Sequence, residues 1–316
     1  MKIKILIVGL GGVGGYYGGL LAKYCKNIPE IEIYFFARGK HLETIKKNGL
    51  TVIAETETFV VHPKLATNDV AELGKMDYVI LTTKSYDLIQ TLDQISACID
   101  NNTIILPLLN GADISERIRT HFPLNQVWDG CVYIVGRLNE PGIVESSGGL
   151  HDLYFGAEKG SNEKLVWMDN LFKNAGIESH LEENIKKIIW RKFMFISVTA
   201  SLTSYFNVGF RDLLTDDHRK MLTLSCLNEL LNIAHSEGVD FEPDIIESTI
   251  RKIERLPFKT TSSMHSDFIA GKTTEIDTLT KVVINIGKKN GVETPTYKVI
   301  FQSLNERLNN YTNGAN

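Results

Sequence analysis

The stretch VGLGGVGG at residues 8–15 restricts the fold of this 316-residue chain more than any other. It follows the apolar run IKILIV and precedes a segment with helical spacing. Three glycines therefore fall as Gly9-x-Gly11-x-x-Gly14 on a strand-to-helix turn. Each has a physical reason there. Gly9 permits the tight turn, Gly11 lets a pyrophosphate come up to the backbone, and Gly14 lets helix and strand pack closely. The phosphates then meet the amino-terminal end of a helix, where backbone N–H groups and the helix dipole favour negative charge. Gly9, Leu10, Gly11, Gly12, Val13 and Gly14 thus form a candidate dinucleotide-binding loop, although glycine-rich turns also occur without a ligand.

The rest of the first half has the alternation such a loop needs. IEIYFF (31–36), DYVILTT (77–83), TIILPLL (103–109) and VWDGCVYIV (127–135) read as short buried strands, most of them separated by amphipathic segments. That is the pattern of a parallel sheet covered on both faces. LTVIAETETFVV and GIVESSGGLHDLYFG alternate more strongly and are expected to add antiparallel strands. From about Glu183 the apolar residues adopt a helical period. The expected fold is α/β: a Rossmann-type dinucleotide-binding domain over residues 1–182, then an all-α substrate-binding domain over 183–316. Within the latter, Thr274 is expected to cap a helix, Glu275 and Asp277 to sit in its first turn, and Lys288, Lys289 and Gly291 to close it.

Composition excludes several classes. A net charge of −4 without basic clustering gives no support to nucleic-acid binding. The amino-terminal apolar run is short and breaks into glycines, unlike an export signal. The apolar stretch at 188–206 contains Arg191 and Lys192 and is too short to cross a bilayer. Cys25, Cys98, Cys131 and Cys226 form no C-x-x-C pair, so reduced thiols in the cytoplasm are the default. The eight histidines lack metal-ligand spacing, and no metal is expected.

Particular residues refine the chemistry. The second strand ends in Ala37-Arg38 instead of an acid, which suits a ribose 2′-phosphate and favours NADPH over NADH; a solvated surface arginine is the alternative. Lys84 and Asn110 follow the next two parallel strands on the ligand-binding edge, where an ordinary surface lysine and turn asparagine are also possible. Lys192 stands in the apolar helix IIWRKFMFISVTASLTSYF. It is either a stem that snorkels its charge to water or a general acid beside a reacting carbonyl.

GLGGVGG, TTKSYD, LLNGAD, WRKF and SSMHSDFIAGKTTEID occur in an order and spacing that resemble the ketopantoate reductase (2-dehydropantoate 2-reductase) family, over nearly the whole chain. The resemblance implies NADPH-dependent reduction of ketopantoate to pantoate on the route to pantothenate and coenzyme A. It implies Lys192 as the catalytic lysine, Glu275 as the active-site glutamate and Ser263 as a contact to the substrate carboxylate. Asn110 would stand beside nicotinamide and substrate, and Arg38 and Lys84 would serve NADPH. The family pattern places asparagines four and eight residues after the lysine. Here those positions are Ile196 and Ala200, expected on the substrate-facing side with Lys192. Thr199, about 20° from Lys192 around the helix at roughly 100° per residue, is the expected replacement hydroxyl. A less polar 2-keto acid is the other explanation, and a non-catalytic NADP(H)-sensing protein is a third reading. A monomer and a homodimer both remain open.

Overall fold

A computed structural model describes residues 2–158 and 162–313. The chain divides into two units, Met1–Leu109 with Asp113–Ile185, and Asn110–Ala112 with Lys186–Asn316. The first unit contains β1 (Ile3–Val8), α1 (Gly12–Cys25), β2 (Ile31–Phe36), α2 (Gly39–Asn48), β3 (Leu50–Ile53), β4 (Thr58–Val61), β5 (Leu65–Thr67) and β6 (Tyr78–Leu81). It continues through α3 (Leu88–Ile95), β7 (Ile104–Pro107), α4 (Ile114–His121), β8 (Gln126–Val127), β9 (Asp129–Glu140), β10 (Ile143–Gly156), α5 (Glu163–Asn174) and β11 (Ser179–Leu181).

Six strands form a parallel sheet in the order β5-β2-β1-β6-β7-β8. The order reverses between β1 and β6, so the turns that follow them lie side by side. This is the switch point at which open α/β sheets bind ligands. A second, five-stranded sheet joins β11, β10, β3 and β4, with β9 antiparallel to β10. LTVIAETETFVV does give an antiparallel hairpin. β10 is likewise antiparallel to β9, and it is parallel to both β3 and β11.

VWDGCVYIV is not one strand of the parallel sheet. β8 closes that sheet at Val127, and β9 belongs to the second one. Trp128, fully buried, makes the transition by packing its ring against Tyr78 and Phe155. Periodicity could not reveal this break, because both halves of the run are apolar.

Helix α1 lies between the two sheets, and its glycines make it narrow enough to do so. A Cβ on Gly18 would lie 3.1 Å from Ile7 of β1. On the other side, a Cβ on Gly15 would lie 2.5 Å from Val144 of β10, and one on Gly12 2.2 Å from the Gly136 carbonyl of β9.

The second unit consists of α6 (Ile185–Phe206), α7 (Asp217–Ser236), α8 (Ile245–Arg255), α9 (Ser263–Ile269), α10 (Val282–Asn290) and α11 (Pro295–Asn313). Its core gathers Trp190, Phe193, Met194, Val198 and Leu202 of α6 with Leu227, Leu230, Leu279 and Tyr297. A π-helical turn at Asp277–Lys281 precedes α10. The Leu279 carbonyl accepts the Ser197 hydroxyl at 2.5 Å, while Thr280 and Ser201 share a 2.8 Å hydrogen bond. Gly291, in the left-handed region at φ 70°, closes α10. Thr274 caps nothing: its hydroxyl is buried without a hydrogen-bond partner among the described residues. The Glu275 carbonyl takes the first N–H groups, from Thr278 and Leu279.

Gly12→Ala is expected to cost about 1–3 kcal/mol, because its methyl would run into backbone and not into a movable side chain. Gly11→Ala, with nothing within 4 Å of the added carbon, should change stability by less than about 0.5 kcal/mol. Urea unfolding of both variants beside the parent chain checks the pair.

Candidate active site

The glycine turn meets the demands read from its spacing. Gly9 has φ 90°, and a Cβ there would lie 2.9 Å from the backbone N of Thr83. A Cβ on Gly14 would sit 2.1 Å from the Gly9 carbonyl and 2.2 Å from Thr82 Oγ1. Thr82 donates to the carbonyls of Val8 (2.9 Å) and Gly9 (2.5 Å), fixing the end of β1. Gly11 opens α1 and faces open space, so the first-turn amides of the helix are approachable. Gly12 lacks a side chain for a different reason, the β9 backbone against it. Thr83 adds a signal that the sequence reading passed over: its hydroxyl is buried and without a partner among the described residues, beside Gly9. An approachable helix start and an orphaned buried hydroxyl together suit a bound pyrophosphate.

Arg38 stands at the carboxyl end of β2, 77% exposed, with Nη2 donating to Asp87 Oδ2 at 2.7 Å. Lys84 is half-buried at the start of the turn after β6. Both are therefore on the edge of the sheet that carries the glycine turn.

In the second unit, Lys192 and Asn110 come together. Residues 110–112 leave the end of the β7 segment and join the helical unit, with Gly111 at φ 128°. Lys192 Nζ donates to Asn110 Oδ1 at 2.8 Å. One ammonium proton is thereby directed at the Asn110 side chain. Glu275 is only 3% exposed, two residues before the π-helical turn. Ser263 is exposed at the first position of α9, and Ser262 does the capping, accepting from the His265 N–H at 3.1 Å.

Thr199 does not take the place given to it above. It is fully buried, and its hydroxyl donates back to the Phe195 carbonyl at 2.7 Å. Ala200 is also fully buried and belongs to the helical core, while Ile196 keeps a partly exposed face. Angular position around a helix axis says nothing of how deep the helix runs at each turn.

Lys252 on α8 was not visible as a site residue, since its spacing puts it on a polar helix face. Its ammonium lies 4.7 Å from the centre of the Phe195 ring. Partial withdrawal from water, followed by the charges of Lys192 and Arg191, pushes its pKa below the usual lysine value. Arg191 and Lys187 share Glu242, at 2.6 and 2.9 Å. Those contacts, that to Lys187 foremost, hold the Glu242 carboxyl down to about 2.

The first unit thus carries a glycine turn at a sheet's switch point, and the second a lysine–asparagine pair. The comparisons make this specific. Residues 5–160 match the family model for ketopantoate reductase PanE/ApbA, and residues 184–308 match that for its C-terminal part. A 2-dehydropantoate 2-reductase of Pyrococcus horikoshii is 30% identical over 93% of both chains. An oxidoreductase of Bacillus subtilis described as uncharacterized is 28% identical, over 96% of this chain and 98% of its own. The crystal structure of 2-dehydropantoate 2-reductase from Porphyromonas gingivalis W83 superposes with a TM-score of 0.85 at 34% identity, over 96% of this chain and 99% of that one. The chain belongs to the ketopantoate reductase family, whose members are NAD(P)H-dependent oxidoreductases. Among the described residues, no helix is long and apolar enough to cross a membrane.

His265 holds the start of α9 in place. Its Nε2–H donates to Asn207 Oδ1 at 3.0 Å, and its Nδ1 accepts the Thr261 hydroxyl. Burial first, then the Arg307 charge, lowers its pKa below the ordinary 6.5. The unfolded chain therefore binds this proton at a higher pH than the folded one. Its contribution to stability is present above pH 6.5 and is lost as pH falls below that value. Urea unfolding between pH 7.5 and about 5.5 should show declining stability, with a shallower decline for His265→Gln.

Proposed function

We propose that this protein reduces a 2-keto acid at the expense of NADPH, with ketopantoate the first candidate substrate and pantoate the product. The observation that carries this reading is the hydrogen bond from Lys192 to Asn110. Hydride arriving at a ketone carbon builds negative charge on the oxygen, and a directed ammonium group both stabilises that charge and supplies the proton. The bound nicotinamide supplies the hydride. Asn110 spends its carbonyl oxygen on Lys192, which leaves its NH₂ to donate to a carboxylate or carboxamide. Ser263, exposed at the start of α9, is the proposed partner of the substrate carboxylate, and Glu275 the group that positions Lys192 or meets a substrate hydroxyl.

A second reading, another branched and less polar 2-keto acid, is favoured by Ile196. It offers an apolar surface one turn after Lys192, and Ala200 beyond it lies in the core.

NADPH oxidation followed by absorbance over a panel of 2-keto acids separates the readings. Turnover of ketopantoate well above that of apolar analogues supports the first. Brisk turnover of another branched keto acid with none of ketopantoate supports the second, and cofactor binding without any turnover sinks both. On the substrate that is turned over, Lys192→Ala should lower kcat by roughly 10²–10⁴-fold with a smaller change in KM.

The preference for NADPH is assigned to Arg38, whose exposed guanidinium is held by Asp87 at the end of β2. Arg38→Ala should weaken NADPH binding by about tenfold or more while leaving NADH nearly unchanged, as removal of a charge-assisted phosphate contact requires. Equal effects on the two cofactors, measured by fluorescence titration, would remove Arg38 from this role.

A further inference from the structure

The imidazole of His41 ties two parts of the first unit together. Its Nε2 lies 2.8 Å from the Leu10 carbonyl oxygen, in the glycine-rich turn. Its Nδ1 lies 2.8 Å from the backbone N of Gly142, in the turn between β9 and β10. A carbonyl oxygen accepts and an amide N–H donates, so the roles are fixed. Nε2 carries the proton and gives it to Leu10, and Nδ1 is bare and accepts from Gly142. The ring is neutral, with both nitrogens used.

The consequence lies in the peptide bond. Leu10 C=O and Gly11 N–H belong to one planar trans unit and point in opposite directions. Holding the Leu10 carbonyl back toward His41 therefore turns the Gly11 N–H the other way. Gly11 opens α1, and an added Cβ there would meet nothing within 4 Å. The same hairpin supports the next residue as well, since Gly136 of β9 lies against Gly12. The turn is thus held from behind at Leu10 and at Gly12, on either side of Gly11.

We propose that His41 is a positioning residue for the dinucleotide: it presets the Gly11 amide as a donor to the cofactor pyrophosphate. This rests on the reading of the glycine turn as the cofactor site. Burial, opposed by the hydrogen bond to Leu10, pulls the His41 pKa below the ordinary value, and no charged side chain contributes to that shift. Arg38, Lys40 and Glu43 around it in sequence, and Glu140 beside the hairpin turn, are all exposed. Protonation would place a second N–H at Nδ1 against the Gly142 N–H, so acid should loosen the turn at this point.

The test measures dissociation constants by fluorescence titration or calorimetry, for NADPH, for ADP and for adenosine, on the parent chain, His41→Leu and His41→Gln. Glutamine keeps one donor and one acceptor but does not titrate. Expected for His41→Leu is a loss of about tenfold, one lost hydrogen-bonding donor, toward NADPH and ADP, with adenosine unaffected. The parent chain should also lose NADPH affinity as pH falls below the ordinary histidine value of 6.5, relative to His41→Gln, a difference that cancels the cofactor's own phosphate titration. Equal losses toward adenosine and ADP would make the role merely structural and overturn the proposal, as would pH profiles that coincide. If His41→Leu does not fold, the comparison of the parent chain with His41→Gln decides alone. If the parent chain binds no NADPH at all, the reading of the glycine turn fails, and this inference with it.

Discussion

Close approach of α1 to two sheets at once is the constraint on which the first unit depends. A helix normally keeps a sheet about 10 Å away because side chains fill the gap. Here Gly14 and Gly18 face β1 and β6, while Gly12, Gly15 and Gly19 face β9, β10 and β3. Glycine within a helix is unfavourable by roughly 0.5–1 kcal/mol per residue relative to alanine, so five of them need compensation. It comes from burial: Tyr17, Leu20, Leu21 and Cys25 of the same helix are all buried. The fold thus serves two ends with one helix, its start bearing the amides proposed to receive a phosphate and its length joining the sheets.

The helical unit solves a different problem, that of packing a long central helix against many neighbours. α6 carries Ser197, Thr199, Ser201 and Thr203, all fully buried. Small residues let other elements come close, and each of these four hydroxyls has a partner, whereas that of Ser204 on the same helix has none among the described residues. Ser197 and Ser201 bond across to the π-helical segment, whereas Thr199 and Thr203 bond back to carbonyls four residues earlier. Buried hydroxyls left unpaired would cost roughly 1–3 kcal/mol each. The widened turn at Asp277–Lys281 places Leu279 O and Thr280 Oγ1 where α6 needs partners.

That division explains what was legible in the sequence. The Gly9, Gly11 and Gly14 spacing and the βα alternation are local signals, and the parallel sheet follows from them. Trp128 marks a change of sheet that no local pattern encodes, because it depends on which strands Gly130 and Val132 later meet. Thr199 was misplaced for a similar reason: rotation around a helix is periodic, but depth along it is set by tertiary neighbours. Thr274 met the sequence rule for a cap, yet the π-helical turn moved the first hydrogen-bonded carbonyl to Glu275. Lys252 and His41 were invisible because their partners, Phe195 and Leu10, are distant in sequence and ordinary in kind.

The departure from the family's asparagines then has a physical meaning. A site that hydrogen-bonds a substrate hydroxyl rejects analogues lacking it by roughly 10⁴–10⁵-fold, whereas an apolar surface separates neighbours by only about 10–200-fold. With Ile196 beside Lys192 and Ala200 sunk in the core, two positions able to make the stronger kind of discrimination are gone. Cationic character remains: Lys192, Arg191 and Lys252 sense one another closely enough to lower the last of these in pKa. Glu242 answers Arg191 directly, in an exposed pair that salt will screen. Recognition at such a site would lean on charge for affinity, and its selectivity would come from the polar groups that still face the substrate. On the proposed reading those are Asn110, Ser263 and Glu275, so discrimination between ketopantoate and its apolar relatives falls to the hydroxyl partner that Glu275 provides.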